Sequence, residues 1–421
     1  MTAEQICGLA PALRAQLQRF GRYLGGGAIQ THIGAYCRGL LSDLPRKSVE
    51  PMALAAGATV RSLQLLLTQH DWDEMGLRDA MQRYIVQEHL PAPGEDFGED
   101  RMDAVGVVGW IDETSVAKKG DKTPGVQRQY CGSSGKIENC VVSVHLAVGY
   151  GSFSTLLDSD LYVPKGWLDD AERCQEAGIP AQTVFRSKPQ IALDQVKRAL
   201  GNGLRFDWIA FDEGYGGKPW FLRGLEALGQ TFIGEVPKTF RCFSAPPRYQ
   251  SLQRPYVAKE AQNLVKHGKT FRGKGWKRYR VRHKTVADST WEAKAGRVYM
   301  SVEGQCHDRE SWLIVARNIR TGEIKYFISN APVRTSLKRM LEAAFSRWGI
   351  EHVFRVAKSE IGLGHYEGRR WRGLMRHMML CQLALLFVAE QTERLRGEKP
   401  ALDEGAGGAG TERGVPALAA T

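Results

Sequence analysis

The chain has 421 residues, too many for one ordinary core and enough for two or three domains. Its 58 Lys and Arg against 46 Asp and Glu leave a net charge of +12, which suits a polyanionic partner such as nucleic acid. The eight cysteines form no C-x-x-C pair and signal neither a zinc site nor a disulfide framework. No basic leader opens the chain and no apolar run approaches the roughly 20 residues of a membrane span, so a cytoplasmic protein without a membrane partner is expected.

Residues 1–95 carry helical periodicity, with apolar clusters at 13–23, 36–41, 52–67 and 75–85. In "ALAAGATVRSLQLLL" Gly57 separates two short helical patterns, as in a DNA-binding helix-turn-helix and as in any packed helix pair. The turn-rich "PAPGEDFGED" at 91–100 marks a domain boundary. From 105 the character changes: "VGVVGWIDE" reads as a strand buried on both faces and ending on Asp112. "CVVSVHLAVGYGSFSTLLDSDLYVP" is a second strand set, and after helical patterns "RFDWIAFDEGYG" is another buried strand, ending on Asp212. Strands alternating with helices predict an α/β core over 100–230. Residues 231–331 hold short strands ("TFIGEVP", "KRYRVRH", "RVYMSV", "SWLIVARNI", "KYFISNA") without long helices, an expected all-β insertion. Helical pattern resumes over 332–395, where the apolar stretch 375–388 needs cover from its own core or from a partner. The tail 396–421, rich in Gly, Ala and Pro, is expected to be disordered.

Carboxylates at the C-terminal ends of buried strands repel one another, and a divalent cation offsets this directly. Asp112 and Asp212 both stand in that position, where a lone residue would be read as a turn cap. Glu113 and Glu213, one residue on, turn to the opposite face. A third carboxylate comes from "RWGIEHVFRVAKSEIGLGHYEGRRWRG", as Glu351, Glu360 or Glu367. At about 100° per residue, Arg347 and Lys358 lie within about 40° and 20° of Glu351, whereas Glu360 points the opposite way. Glu367 follows Gly362 and Gly364, beyond the helix end. A face of Arg347, Glu351 and Lys358 suits a metal bound beside a phosphate, although charges alone favour an ordinary solvated helix with i, i+4 pairs.

Basic residues concentrate in the insertion, where 231–290 hold 14 Lys and Arg against three Asp and Glu. Lys274, Lys277, Arg278 and Arg280, interleaved with Phe271, Trp276 and Tyr279, are the expected phosphate contacts, and Lys118, Lys119, Lys122, Arg128 and Lys136 form a second patch after Asp112. Trp276, Trp291 and Trp312 are candidates for base stacking or for core. His365 and His377 read as surface or packed imidazoles, and Cys140 and Cys381 as core.

These residues resemble those of bacterial insertion-sequence transposases of the DDE type, in the branch whose last acidic residue lies in a Tyr-x2-Arg-x3-Glu-x6-Lys signature. Arg347, Glu351 and Lys358 keep its spacing, while the Tyr position is Ala344, with Phe345 and Trp348 the nearest aromatics. The block "DETSVAKKGDKTPGVQRQYCGSSGKIENCVVSVHLAV" is similar to a first-aspartate region, "DEGYGGKPWFLRGLEALG" to a second, and "GLGHYEGRRWRGLMRH" to the segment after the glutamate. With the N-terminal "RGLLSDLPRKSVEPMALAAG", the likeness runs from about Arg38 to Val388. It implies an RNase H-like catalytic core, a mixed five-stranded sheet flanked by helices, with the first Asp on the first strand, the second just after the fourth and the Glu on a late helix. It also implies the β insertion, which the 139-residue interval from Asp212 to Glu351 accommodates.

By the same resemblance, Asp112, Asp212 and Glu351 are the catalytic residues and metal ligands for two Mg²⁺ ions, with Mn²⁺ as a substitute, and no covalent protein intermediate forms. Double-stranded DNA is the expected partner, as element inverted repeats and as target, held by a homodimer. The competing functions are an RNase H-like endonuclease that cuts without joining, and a non-catalytic domesticated DNA-binding protein.

Overall fold

The structure, a computed structural model, describes residues 3–91, 105–246, 257–281 and 289–397. Nearly all of the expected linker at 91–100 and of the expected disordered tail lies outside the described residues. Five helices open the chain: α1 (Ala3–Arg19), α2 (Gly27–Leu40), α3 (Val49–Ala55), α4 (Val60–Thr68) and α5 (Glu74–Glu88). Local chemistry sets their ends. The Thr59 side chain accepts from Ser62 N and the Asp73 side chain from Gly76 N, satisfying first-turn amides of α4 and α5. Between α3 and α4, Gly57 takes φ +65°, the left-handed conformation that turn requires.

Strands β1 (Val108–Ala117), β2 (Gln127–Cys131), β3 (Lys136–Tyr150) and β4 (Phe153–Leu161) follow, then α6 (Lys165–Leu168), α7 (Ala171–Ala177), α8 (Lys188–Gly201), β5 (Trp208–Phe211), α9 (Glu213–Gly216), α10 (Pro219–Ala227) and β6 (Phe232–Val236). β3 runs antiparallel to β1 on one side, with β4 beyond it, while β5 and β6 run parallel on the other. The result is a mixed five-stranded sheet, β4-β3-β1-β5-β6, flanked by helices, the RNase H-like arrangement the resemblance implies. Val108 to Ile111 and all of β5 are buried, as apolar runs without alternation require. One expectation fails: β1 does not end on Asp112. Its pairing with β5 stops at Ile111↔Phe211, but β3 accompanies it to Ala117↔Cys140.

Next come β7 (Arg241–Phe243), β8 (Lys259–Glu260), α11 (Ala261–His267), β9 (Lys277–Val281), β10 (Ser289–Val302), β11 (Gln305–Asn318) and β12 (Ile324–Ser329). β12 pairs antiparallel with β6, and β11 and β10 follow outward, so these strands extend the core sheet instead of forming a second one, and the insertion expected to be all-β over 231–331 instead leaves β6 to the core and includes the helix α11. The chain then forms α12 (Leu337–Ser346), α13 (Trp348–Arg355), a π-helical turn at Val356–Ile361, and α14 (Trp371–Gly397). By length and composition α14 passes for a membrane span, yet 78% of its apolar window is buried within the fold. α2 and α4 pack along it, and β4 lies against it. Arg376, fully buried in α14, donates to the carbonyls of Leu66, His70 and Trp72 and pairs with Glu74. The stretch 375–388 is thus covered by its own chain.

Candidate active site

Ile111 and Phe211 are the last residues paired between the neighbouring parallel strands β1 and β5, so Asp112 and Asp212 stand side by side where these two strands part, Asp212 beyond the end of β5 and Asp112 still paired to β3. Asp212 caps α9: its Oδ1 accepts from Gly214 N at 2.9 Å and from Tyr215 N at 3.4 Å. Asp112 accepts Glu113 N on Oδ1 at 2.8 Å and Arg347 Nη1 on Oδ2 at 2.9 Å. Burial pushes the Asp112 carboxyl up to about 6; Arg347 pulls it down and Asp212 pushes it further up. This is a desolvated carboxylate beside a second one.

The helix that faces these aspartates is brought in by a tryptophan. Trp110 shares Asp112's face of β1 by alternation, and its indole lies where a Cβ on Gly349 would come within 2.4 Å of the ring. Its Nε1 donates to Ser346 Oγ at 3.2 Å. Glycine at 349 therefore lets α13 approach β1 closely, and Arg347 reaches Asp112 while its Nη2 lies 3.5 Å from Glu351 Oε1. Glu351 keeps a 61% exposed side chain, open to a ligand from solvent.

The regular helix expected across 347–358 is interrupted twice. Hydrogen bonds spanning three residues, from Arg347 N to Ala344 O and from Ile350 N to Arg347 O, separate α12 from α13, and 356–361 widen into the π turn, closed by Gly362 at φ +85°. Such turns recur at functional sites. This one carries Lys358, with Nζ 5.8 Å from the Phe354 ring; burial pushes its pKa down and the field of Asp112 pushes it up. Arg347 thus contacts Asp112 and Lys358 lies in its field, while Glu351 reaches Asp112 only through Arg347, although the helix is not regular. Glu360 instead accepts from Ser359 Oγ at 3.0 Å, and Glu367 pairs with Arg46. At the Tyr position Ala344 is buried, and the neighbouring Phe345 packs on Trp291 at 4.7 Å in the core.

Over residues 20–298 the chain matches the family model described as DDE superfamily endonuclease. It belongs to that family. The match takes in both aspartates and ends before α12. A relative, the probable transposase for insertion sequence element IS701 of Microchaete diplosiphon, is 32% identical over 201 residues, which is 46% of this chain and 46% of that relative. The chain therefore spans about half the length of the curated relative it matches.

The carboxylates of this DDE family member fit a hard divalent cation, because Asp112 is desolvated, is repelled by Asp212, and draws a guanidinium to itself. Among the described residues no three acidic, His or Cys side chains converge into a preformed metal cage. Arg347, bridging Asp112 and Glu351, supplies positive charge between them.

Three neighbours went unseen in the sequence. Tyr215 is 2% exposed and its hydroxyl donates to Glu113 Oε2 at 3.4 Å, in the field of both aspartates. Lys188, opening α8, pairs with Glu113 at 2.5 Å, so the carboxylate that alternation turns away from Asp112 is neutralised on its own face. The Tyr in "DEGYG" was the only local signal for this arrangement. His145, opposite Asp112 in register, bonds Ser143 Oγ and Ser159 Oγ at 2.7 Å each, and burial holds its pKa down to about 3. It is a neutral support beneath the site, with Phe354 at 5.2 Å.

The basic residues fall into two places. Lys118 is partly buried and donates to Tyr366 O at 2.6 Å, while Lys119 and Arg128 are exposed. Lys277, Arg278 and Arg280 lie on β9, apart from the carboxylates, with Lys274 in the turn before it donating to Ala295 O at 2.8 Å. Trp291 is core at 0% exposure, and Trp312 lies under Arg297 at 4.8 Å. Trp276 is 37% exposed, between Lys294 at 5.0 Å and Arg317 at 4.8 Å. Cys140 and Cys381 are buried as expected, His365 Nδ1 accepts Lys47 N, and His377 is a packed imidazole bonded to Tyr36.

Proposed function

We propose that the chain is a DDE transposase that cleaves DNA at insertion-sequence ends and transfers the freed 3′ ends into target DNA. The observation that carries this reading is the side-by-side placement of Asp112 and Asp212 where β1 and β5 part, with Glu351 tied to Asp112 through Arg347. In it, Asp112, Asp212 and Glu351 hold two Mg²⁺ ions, replaceable by Mn²⁺, which when bound supply an activated hydroxyl and stabilise the leaving oxygen. The chain's own side chains position the DNA. Arg347 and Lys358 take phosphate oxygens beside the carboxylates. Lys188 and Tyr215 hold Glu113 on the far face, so it does not compete with Asp112.

Lys118, Lys119 and Arg128, with Lys274, Lys277, Arg278 and Arg280, grip the DNA backbone in the same reading. The helical segment 1–95 contacts DNA through the α3–α4 pair. Residues 105–236 and 332–395 are the two parts of the catalytic core, and 237–331 the insertion. The active form is a homodimer on paired element ends, in the cytoplasm. The test incubates the chain and Mg²⁺ with linear DNA carrying candidate inverted repeats and a supercoiled target. Joined product supports the proposal; cleavage without joining indicates a plain endonuclease, and binding without cleavage a non-catalytic protein.

A further inference from the structure

The face of the sheet that presents Asp112 continues well past the site. Asp112 pairs with His145 and Ala117 with Cys140, and β3 then pairs with β2 as Arg128↔Asn139 and Tyr130↔Ile137, without a register shift in either ladder. By alternation His145, Ser143, Val141, Asn139 and Ile137 share Asp112's face, and Arg128 and Tyr130 share it with them. The near part of this face is covered. Phe354 of α13 lies on His145, Gly364 approaches Val116, and Lys118 reaches Tyr366 O. The far part is bare: Tyr130 is 65% exposed and Ile137 62%.

A single exposed apolar residue needs no explanation, but an aromatic and a β-branched residue directly opposed on a projecting hairpin form a continuous patch. The surroundings favour one occupant. Residues 118–137 hold five basic side chains against one acidic, and Lys119, Lys122, Arg128 and Lys136 are exposed, Lys122 paired with Glu176 and Lys136 with Glu138. An apolar patch fringed by cations fits nucleic acid, whose bases are apolar on their faces and whose backbone is anionic. Eight residues of β3 separate Ile137 from His145, a distance of roughly 25 Å along an extended strand and about eight base pairs of duplex.

We propose that Tyr130 and Ile137 form an apolar wedge that contacts the bases of bound duplex DNA, about eight base pairs from the phosphate held at Asp112. The inference rests on the DNA-cleaving reading above. It is tested with a random-sequence duplex, measuring affinity across a salt series for the native chain, for Tyr130→Ser with Ile137→Ser, and for Tyr130→Trp with Ile137 retained; light scattering follows assembly. Because the contact is apolar, the double variant should lose about tenfold in affinity with an unchanged salt slope, and Tyr130→Trp should bind like the native chain. Equal affinity of the double variant and the native chain overturns the wedge while leaving the DNA reading intact. A change in assembly at unchanged DNA affinity also overturns it and assigns the patch to a second copy of this chain. Failure of the native chain itself to bind duplex removes the DNA reading, and the wedge with it.

Discussion

Arg347 holds together two carboxylates that would otherwise repel each other, at 2.9 Å from Asp112 and 3.5 Å from Glu351. Replacing it by Ala leaves Asp112 desolvated without that cation, so Arg347→Ala should lower stability by about 1–3 kcal/mol and DNA cleavage by about a hundredfold. Added Mg²⁺ should raise the melting temperature of the variant more than that of the native chain; an equal rise in both would detach Arg347 from the acidic group. A second prediction concerns His377, whose Nδ1 lies 2.8 Å from the Tyr36 hydroxyl and whose Nε2 lies 3.2 Å from Leu363 O. Burial lowers its pKa from 6.5 to about 4, so between these values the unfolded chain takes up a proton that the folded chain refuses. Its stabilising contribution is complete above pH 6.5 and is lost as pH falls toward 4, at about 1.4 kcal/mol per unit. Denaturant midpoints from pH 7.5 to 4.5 should fall, and His377→Gln should flatten the slope by about one proton; an unchanged slope would contradict the burial. At this scale the two aspartates were legible because an apolar run that ends on an acid is a local pattern. Tyr215 and Lys188 were not, because they meet Glu113 only through the packing of α8 and α9 against the sheet.

The elements show where local pattern stops being sufficient. "VGVVGWIDE" gives a buried strand correctly but not its end, since what prolongs β1 to Ala117 is β3, more than twenty residues further along the chain. Helix periodicity placed Arg347, Glu351 and Lys358 on one face, whereas the structure breaks the helix at Arg347 and widens it into a π turn at 356–361, with Gly349 seated against Trp110 of a distant strand. Gly349→Ala would put a methyl within 2.4 Å of that indole. It should displace α13 and cut cleavage by at least about tenfold, while far-ultraviolet circular dichroism keeps its helical signal. Full activity would show that this close approach does not position Arg347. In β9, neutralising Lys274, Lys277, Arg278 and Arg280 together should weaken binding to all DNA sequences and flatten its salt dependence by about one unit for each phosphate no longer engaged. An unchanged slope would return that strand to a plain solvated edge.

For the molecule as a whole, the alternation of strands and helices was enough to predict the α/β core, and the family resemblance supplied its strand count. Neither announced that β10, β11 and β12 would continue the sheet from β6, because strand pairing across an insertion leaves no local trace. Nor could composition decide what covers α14, where the N-terminal helices, tied to it through Arg376, occupy the face that a partner would have needed. One acidic group per chain and two ends per element mean that excision should require two chains. The most direct test is a strand-transfer assay on DNA carrying two element ends, comparing the native chain with Asp112→Asn, Asp212→Asn, Glu351→Gln and Glu360→Gln. The expected result is Mg²⁺-dependent joined product from the native chain and from Glu360→Gln, with a loss of about a thousandfold or more in the other three. Undiminished product from Glu351→Gln, with loss in Glu360→Gln instead, would contradict the assignment of the acidic group around Asp112.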